Sequence, residues 1–188
     1  MHEIIWHGRG GQGVVVAAQI LAEAAYIQGF KGVTSAPTFG PERRGAPLMA
    51  STRISDEPIR TFSQIESADI AVVLDESLMG IVDIGGNVKD GGLIIINTAL
   101  SPEQIKIEGR FEIATVDATG IALKHNLTRG GALIINTPLL GAFAKASGLV
   151  SMENIEKGLV SKLSADAASL NFSAAKATFD ETVIKKIG

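Results

Sequence analysis

The chain contains no cysteine. That absence excludes disulfides, thiolate catalysis and any cysteine-ligated iron–sulfur cluster held by this polypeptide. Histidine is scarce: His2, His7 and His125 are the three present, and no two have metal-ligand spacing. No apolar run is long enough to span a bilayer, and the glycines at 8–13 break the short apolar patch near the start, which argues against a signal peptide. No basic block appears, and a net charge of −3 offers no footprint for nucleic acid. Also missing are a G-x-S-x-G elbow, an H-E-x-x-H helix and the Lys-Ser/Thr ending of a P-loop, which disfavours hydrolysis of nucleoside triphosphates. These absences leave the expectation of a soluble, cytoplasmic chain with neither nucleic acid nor membrane as partner. Its 188 residues suit one domain over 1–188, with a core at about 3–163 and a helical tail at 171–187.

What is abundant is glycine, above all at one place. Ile4-Ile5-Trp6-His7 feeds Gly8-Arg9-Gly10-Gly11-Gln12-Gly13, and an alanine-rich helical pattern over Val14–Gln28 follows at once. The arrangement predicts a strand, a tight turn and a helix N-terminus. Glycines there allow backbone N–H groups to approach a ligand closely, and the new helix adds unpaired donors and the positive end of its dipole. Gly8-x-Gly10-x-x-Gly13 fits the dinucleotide fingerprint, yet Val33-Thr34-Ser35-Ala36 lacks the acid that would hold a ribose. Nicotinamide dinucleotide binding is therefore disfavoured. Two readings stay open: an anion cradle, or glycines that only permit close strand–helix packing. His7 likewise either donates to an anion or is a strand-end histidine satisfied by its neighbours.

Further along, the prolines and glycines of residues 34–47 predict a loop, and its Arg43-Arg44 pair is the chain's most concentrated positive charge. The pair either serves phosphate or carboxylate, or is solvated and bridges to acids such as Glu42. Alternation over 48–55 predicts a strand, with a partner strand starting at Ile59-Arg60-Thr61. The β-branched runs at 69–75, 91–97 and 111–117 predict inner strands of a parallel sheet. Short helices are expected around 76–82 and 102–105, and another from Asp117. Asp75, Asn97 and Asp117 end these strands, where open α/β sheets bind ligands but where helix caps are also common. Pro138 and Gly148 frame a helix over Leu139–Ser147, Ser151 precedes one through Leu163, and Phe172, Ala175, Phe179, Val183 and Ile187 predict a third over 171–187. The fold expected is α/β: a single Rossmann-like three-layer sandwich with a mainly parallel sheet and a helical C-terminal tail.

Three segments in order carry a more specific signal. His7 through Gly13, Phe39-Gly40-Pro41-Glu42-Arg43-Arg44-Gly45-Ala46-Pro47, and Asn136-Thr137-Pro138-Leu139-Leu140-Gly141-Ala142-Phe143-Ala144-Lys145-Ala146 together closely resemble the gamma subunit of 2-oxoacid:ferredoxin oxidoreductases, most like the pyruvate synthase and branched-chain members. The resemblance implies a non-autonomous subunit of an enzyme that joins a 2-oxoacid, pyruvate favoured, to coenzyme A, giving acyl-CoA, carbon dioxide and reduced ferredoxin. Thiamine diphosphate and [4Fe–4S] clusters would sit on alpha, beta and delta partner subunits, and ferredoxin would accept the electrons. Carried onto this chain, the backbone around Gly8, Arg9, Gly10, Gly11, Gln12 and Gly13 would face the CoA phosphates, with charge from Arg43 and Arg44 and a further contact from Asn136. No residue of the chain is expected to be catalytic. The competing class is a free-standing nucleotide-binding or regulatory module.

Overall fold

The structure, a computed structural model, describes residues 1–37, 43–61 and 63–186. Strand β1 (His2–Arg9) is apolar on both faces because it lies inside a seven-stranded sheet. Beyond β1 come helix α1 (Val14–Gln28) and strands β2 (Gly32–Pro37), β3 (Pro47–Ser55), β4 (Ala68–Val73), β5 (Val88–Asn97) and β6 (Glu112–Val116). Helix α2 (Ala118–Lys124), the small hairpin of β7 (Thr128–Arg129) and β8 (Ala132–Leu133), helices α3 (Leu139–Ser147), α4 (Met152–Lys162) and α5 (Ala165–Glu181), and strand β9 (Val183–Lys185) complete it.

The sheet order is β2-β3-β1-β4-β5-β6-β9. Strands β1, β4, β5 and β6 pair in parallel, whereas β3 runs antiparallel to both β1 and β2, and β9 antiparallel to β6. Strand β2 thus points the same way as β1, and the sheet is mainly parallel, as expected. From β1 the chain travels to one side to build β2 and β3, then crosses back to lay β4, β5 and β6 on the other. The carboxyl end of β1 therefore lies at the point where the strand order reverses, the usual ligand crevice of open α/β sheets.

Alternation sorts the side chains onto two unequal faces. Ile4, Trp6, Ile70, Val72, Ile95 and Val116 pack under the helices, where Trp6 stacks on Phe143 with ring centroids 6.1 Å apart. Its indole Nε1–H donates to Thr52 Oγ1 at 3.1 Å. The opposite face is covered by 3-10 turns, among them Glu76–Gly80 and Pro102–Gln104, over Ala71, Val73, Ile94 and Ile96. These are the short helices expected there, of 3-10 rather than α type.

Helices α1 and α3 have the predicted bounds, because their punctuation is local: α1 starts at Gly13 and stops at Gly29, and α3 stops at Gly148, all with positive φ. Three expectations are corrected. Residues 34–37 are not loop but belong to edge strand β2, where Pro37 is tolerated because an edge strand leaves one side unpaired. Ile59–Thr61 forms no strand, since β3 already has β1 and β2 on its two sides. The tail helix begins at Ala165 and ends at Glu181; the β-branched Val183-Ile184 then pairs with β6, Ala114 opposite Ile184. Thr38, Phe39, Gly40, Pro41 and Glu42 lie outside the described residues, as does Ile187. No helix among the described residues is long and apolar enough to cross a membrane.

Candidate functional site

The glycine loop and the Arg43-Arg44 segment, thirty residues apart in sequence, meet at the carboxyl end of β1. Gly10 N–H donates to the Ala46 carbonyl at 2.9 Å, Gly45 N–H donates to the Gly10 carbonyl at 3.0 Å, and Gly10 and Arg44 form a β-bridge. The approach needs a glycine: a Cβ at position 10 would stand 2.3 Å from the Arg43 carbonyl oxygen. Arg44 runs beside Gly11, its Cγ 3.9 Å from where a Gly11 Cβ would be. Both arginines are exposed and form no ion pair among the described residues.

Gly13 begins α1 in the left-handed conformation, φ 76°, with no side-chain cap on the helix. A Cβ there would meet the Asn136 amide at 2.6 Å, and Asn136 Nδ2 donates to the Gly13 carbonyl at 3.0 Å. The loop N–H groups of Gly11 and Gly13 make no hydrogen bond among the described residues. Uncapped helix donors and flanking cations make an anion site with the means to orient a phosphate. At Gly8 the packing reading also holds, because its missing Cβ leaves room for the Val14 side chain.

Arg9 and Gln12 are engaged inside the loop. Arg9 donates from Nε to Asp75 Oδ2 at 3.0 Å, from one terminal nitrogen to the Gly45 carbonyl at 3.0 Å, and from the other to Ser77 Oγ at 2.6 Å. Gln12 accepts the Arg9 N–H at 2.7 Å and donates to Asp75 at 3.1 Å. Asp75 is the hub of this brace. Burial alone would raise its carboxyl, but hydrogen bonds from Ser77 and Gln12, and the Arg9 charge, outweigh it and hold the group below the usual range. The brace therefore stabilises the fold above the unfolded carboxylate value of about 3.9 and weakens as acid drives pH down through the lower folded value. Asp75→Asn is expected to lower stability at pH 7 by about 1 kcal/mol and to narrow its deficit by pH 3. Chemical denaturation at the two pH values measures both.

The other strand-end polar groups serve as caps and ties. Asp117 accepts the Gly120 N–H at 2.7 Å at the start of α2, and Asn97 bonds Leu74 and Thr119. His7 is buried on the sheet face away from α1, and neither ring nitrogen has a partner among the described residues, contrary to the satisfied strand-end reading. Burial pushes its pKa down to about 4. No group of three or more potential metal ligands exists among the described residues.

No motif in the sequence marks the cavity beside the glycine loop. Of about 580 Å³, it opens between residues 11–13, the β7–β8 hairpin and the start of α5. Arg129 and Lys162 line it, from the hairpin and the last turn of α4. The hairpin was signalled by Gly130-Gly131, which both take positive φ; Lys162 reaches the cavity only because α4 packs on α1.

A Rossmann-like sheet with a glycine loop and an uncapped helix N-terminus at its strand-order reversal has the architecture of nucleotide- and phosphate-ligand domains. Its sequence is more specific. Residues 3–181 match the pyruvate ferredoxin/flavodoxin oxidoreductase family, and the chain belongs to that family as a gamma, PorC-type subunit of a multi-subunit 2-oxoacid:ferredoxin oxidoreductase. It is 46% identical over 190 residues, the full length of both chains, to the pyruvate/ketoisovalerate oxidoreductases common subunit gamma of Thermococcus litoralis. It is also 46% identical over 183 residues to the pyruvate synthase subunit PorC of Methanothermobacter marburgensis, covering 96% of this chain and 97% of that one. The crystal structure of a pyruvate oxidoreductase subunit PORC from Thermotoga maritima superposes with a TM-score of 0.81 at 35% identity, over 98% of each chain.

Proposed function

We propose that this subunit forms the CoA site of its complex, with pyruvate as the favoured 2-oxoacid. The overall change would be pyruvate, CoA and two oxidised ferredoxins to acetyl-CoA, carbon dioxide, a proton and two reduced ferredoxins. Thiamine diphosphate and [4Fe–4S] clusters on alpha, beta and delta subunits would supply the decarboxylation and the electron path. This chain, without cysteine, would bind and orient the thiol substrate through its phosphates, within a cytoplasmic assembly.

The observation that carries the proposal is the Gly10–Arg44 bridge, which sets a doubly cationic segment against an uncapped helix N-terminus. In such a site the loop N–H groups hold phosphate oxygens and the arginine forks neutralise their charge, so the ligand is fixed at its phosphate end and its thiol is free to reach a neighbouring subunit. Arg9 and Gln12 keep the loop in shape through Asp75; their N–H groups are spent on Gln12 Oε1 and on the Arg9 carbonyl, so the donors left for the ligand are those of Gly11, Gly13 and the first turn of α1.

The test is Arg43→Ala with Arg44→Ala in the assembled complex. Loss of two charge-assisted contacts is expected to raise the KM for CoA about tenfold to a hundredfold with little change in kcat. Added salt should weaken CoA binding in the wild type more than in the variant, because screened charges matter only where they are present. An unchanged CoA dependence would remove the pair from the site.

A further inference from the structure

A second cavity, of about 380 Å³, lies on the sheet face away from α1, and the CoA reading makes no use of it. Strand alternation places Ile5 of β1, Ser51 and Arg53 of β3 and Thr34 of β2 on this face, with Ile5 opposite Ser51 and Arg53 opposite Thr34. Residues 61 and 63–65 contribute the rest of the described lining, together with the end of β2 and Met49. Arg53 is the sole charged residue among the described residues around the cavity, and it is 5% exposed.

An arginine buried this deeply needs its charge neutralised and its N–H groups taken up. The first need is met: Nε donates to Glu3 Oε1 at 3.0 Å. Glu3 also lies 3.5 Å from Lys89, whose nearer partner is Asp69 at 2.7 Å, so the four charges cancel. The second need is not met. One terminal nitrogen donates to the Ser63 carbonyl at 2.8 Å, and the other has no partner among the described residues. The cavity therefore offers a strong donor with no net charge left to balance. Ile5 and Ile65 supply apolar surface, with Thr34, Ser51, Thr61 and Gln64 around them.

We infer that this cavity is a ligand site separate from the glycine loop, for an uncharged planar molecule with a carbonyl edge, of the size of nicotinamide or a nucleobase. The carbonyl oxygen accepts the free N–H groups of Arg53, and the flat body lies against Ile5 and Ile65. A carboxylate would bring a fifth charge into a set that already cancels, and burying it without a counterion is costly. An amide accepts the same bonds without that cost. The volume is at the lower end of the usual range for small-ligand pockets, about 300–1,000 Å³. Strands β2 and β3, which wall the cavity, lead into and out of the Arg43-Arg44 segment, so an occupant braces the stem of that segment. The inference stands on Arg53 and its surroundings and does not require the CoA reading.

The test titrates the assembled complex with nicotinamide, nicotinate and pyridine by calorimetry, with CoA saturating. Nicotinamide should bind with a Kd of about 1 mM or tighter. Pyridine lacks the carbonyl and nicotinate carries a charge in its place, so each should bind at least about tenfold more weakly. Ser51→Leu fills the cavity from the sheet side without touching the Arg53–Glu3 pair, and it should abolish nicotinamide binding while turnover of the complex is unchanged. Arg53→Lys keeps a cation beside Glu3 but loses the second terminal nitrogen, and it should weaken nicotinamide about tenfold while leaving pyridine unaffected. No saturable binding of nicotinamide, tighter binding of nicotinate, or nicotinamide binding that survives either substitution overturns the inference.

Discussion

Gly141→Ala is expected to cost the subunit about 3 kcal/mol or more of stability, although alanine is the better helix former by about 1 kcal/mol. The reason lies between two helices. Gly141 is in α3, packed so closely on α5 that a Cβ at this position would stand 1.8 Å from the Ala175 carbonyl oxygen and 2.5 Å from Thr178 Oγ1. The first of these atoms is backbone and does not swing aside, so the helices would have to part by well over an ångström. Parting them also threatens the Thr178 hydroxyl, which donates toward the Ala175 and Pro138 carbonyls, and the burial of Leu139, Leu140 and Phe143. For a chain of this size the loss corresponds to a fall in Tm of roughly 6–12 °C. Gly80→Ala, a position with open space around it and no positive φ, is the control and should shift Tm by no more than a degree or two. A Gly141→Ala subunit as stable as the control would show that α3 and α5 do not pack in this way.

Acid should destabilise the subunit through His7 before the carboxylates respond. In the fold the buried ring is neutral, with its pKa lowered to about 4, whereas in the unfolded chain an imidazole titrates near its ordinary value of about 6.5. Below about 6.5 the unfolded state binds a proton that the folded state refuses, so stability is full above that pH, falls on the way down to about 4, and levels off there. The whole step amounts to about 3 kcal/mol, and about 2 kcal/mol of it is reached by pH 5, where most carboxylates remain ionised. His7→Leu replaces the ring by an apolar side chain on the same sheet face and should flatten the slope between pH 5 and 6.5. Urea unfolding across that window measures it, and equal slopes in the two proteins would contradict a buried neutral ring.

The parts of the fold that were legible in the sequence are those whose determinants are local. Inner strands β4, β5 and β6 declare themselves as β-branched runs buried on both faces, and α1 and α3 end at glycines that take positive φ. The tail was not legible for a geometric reason. Val183 falls in phase with Phe172, Ala175 and Phe179, so helical spacing continues across a junction that only the free edge of β6 decides. Strand β2 reads as loop because Thr34, Ser35 and Pro37 carry turn chemistry, while its membership in the sheet comes from β3 alongside. The site divides in the same way. The glycines and the arginine pair stand out as motifs, and the fold brings the two segments together at the end of β1. Arg129 and Lys162 are single cations among many, and their convergence is a product of α4 lying on α1 and of a hairpin folded over the loop.

Strand β9 gives the edge of the sheet an unusual timetable. Residues 183–185 leave the ribosome after every strand they adjoin, so β6, Glu112–Val116, waits through the remainder of synthesis with one row of backbone groups unsatisfied. During that interval the nascent chain carries a bare β-edge, the kind of surface to which extended segments of other chains add themselves. Three residues close it.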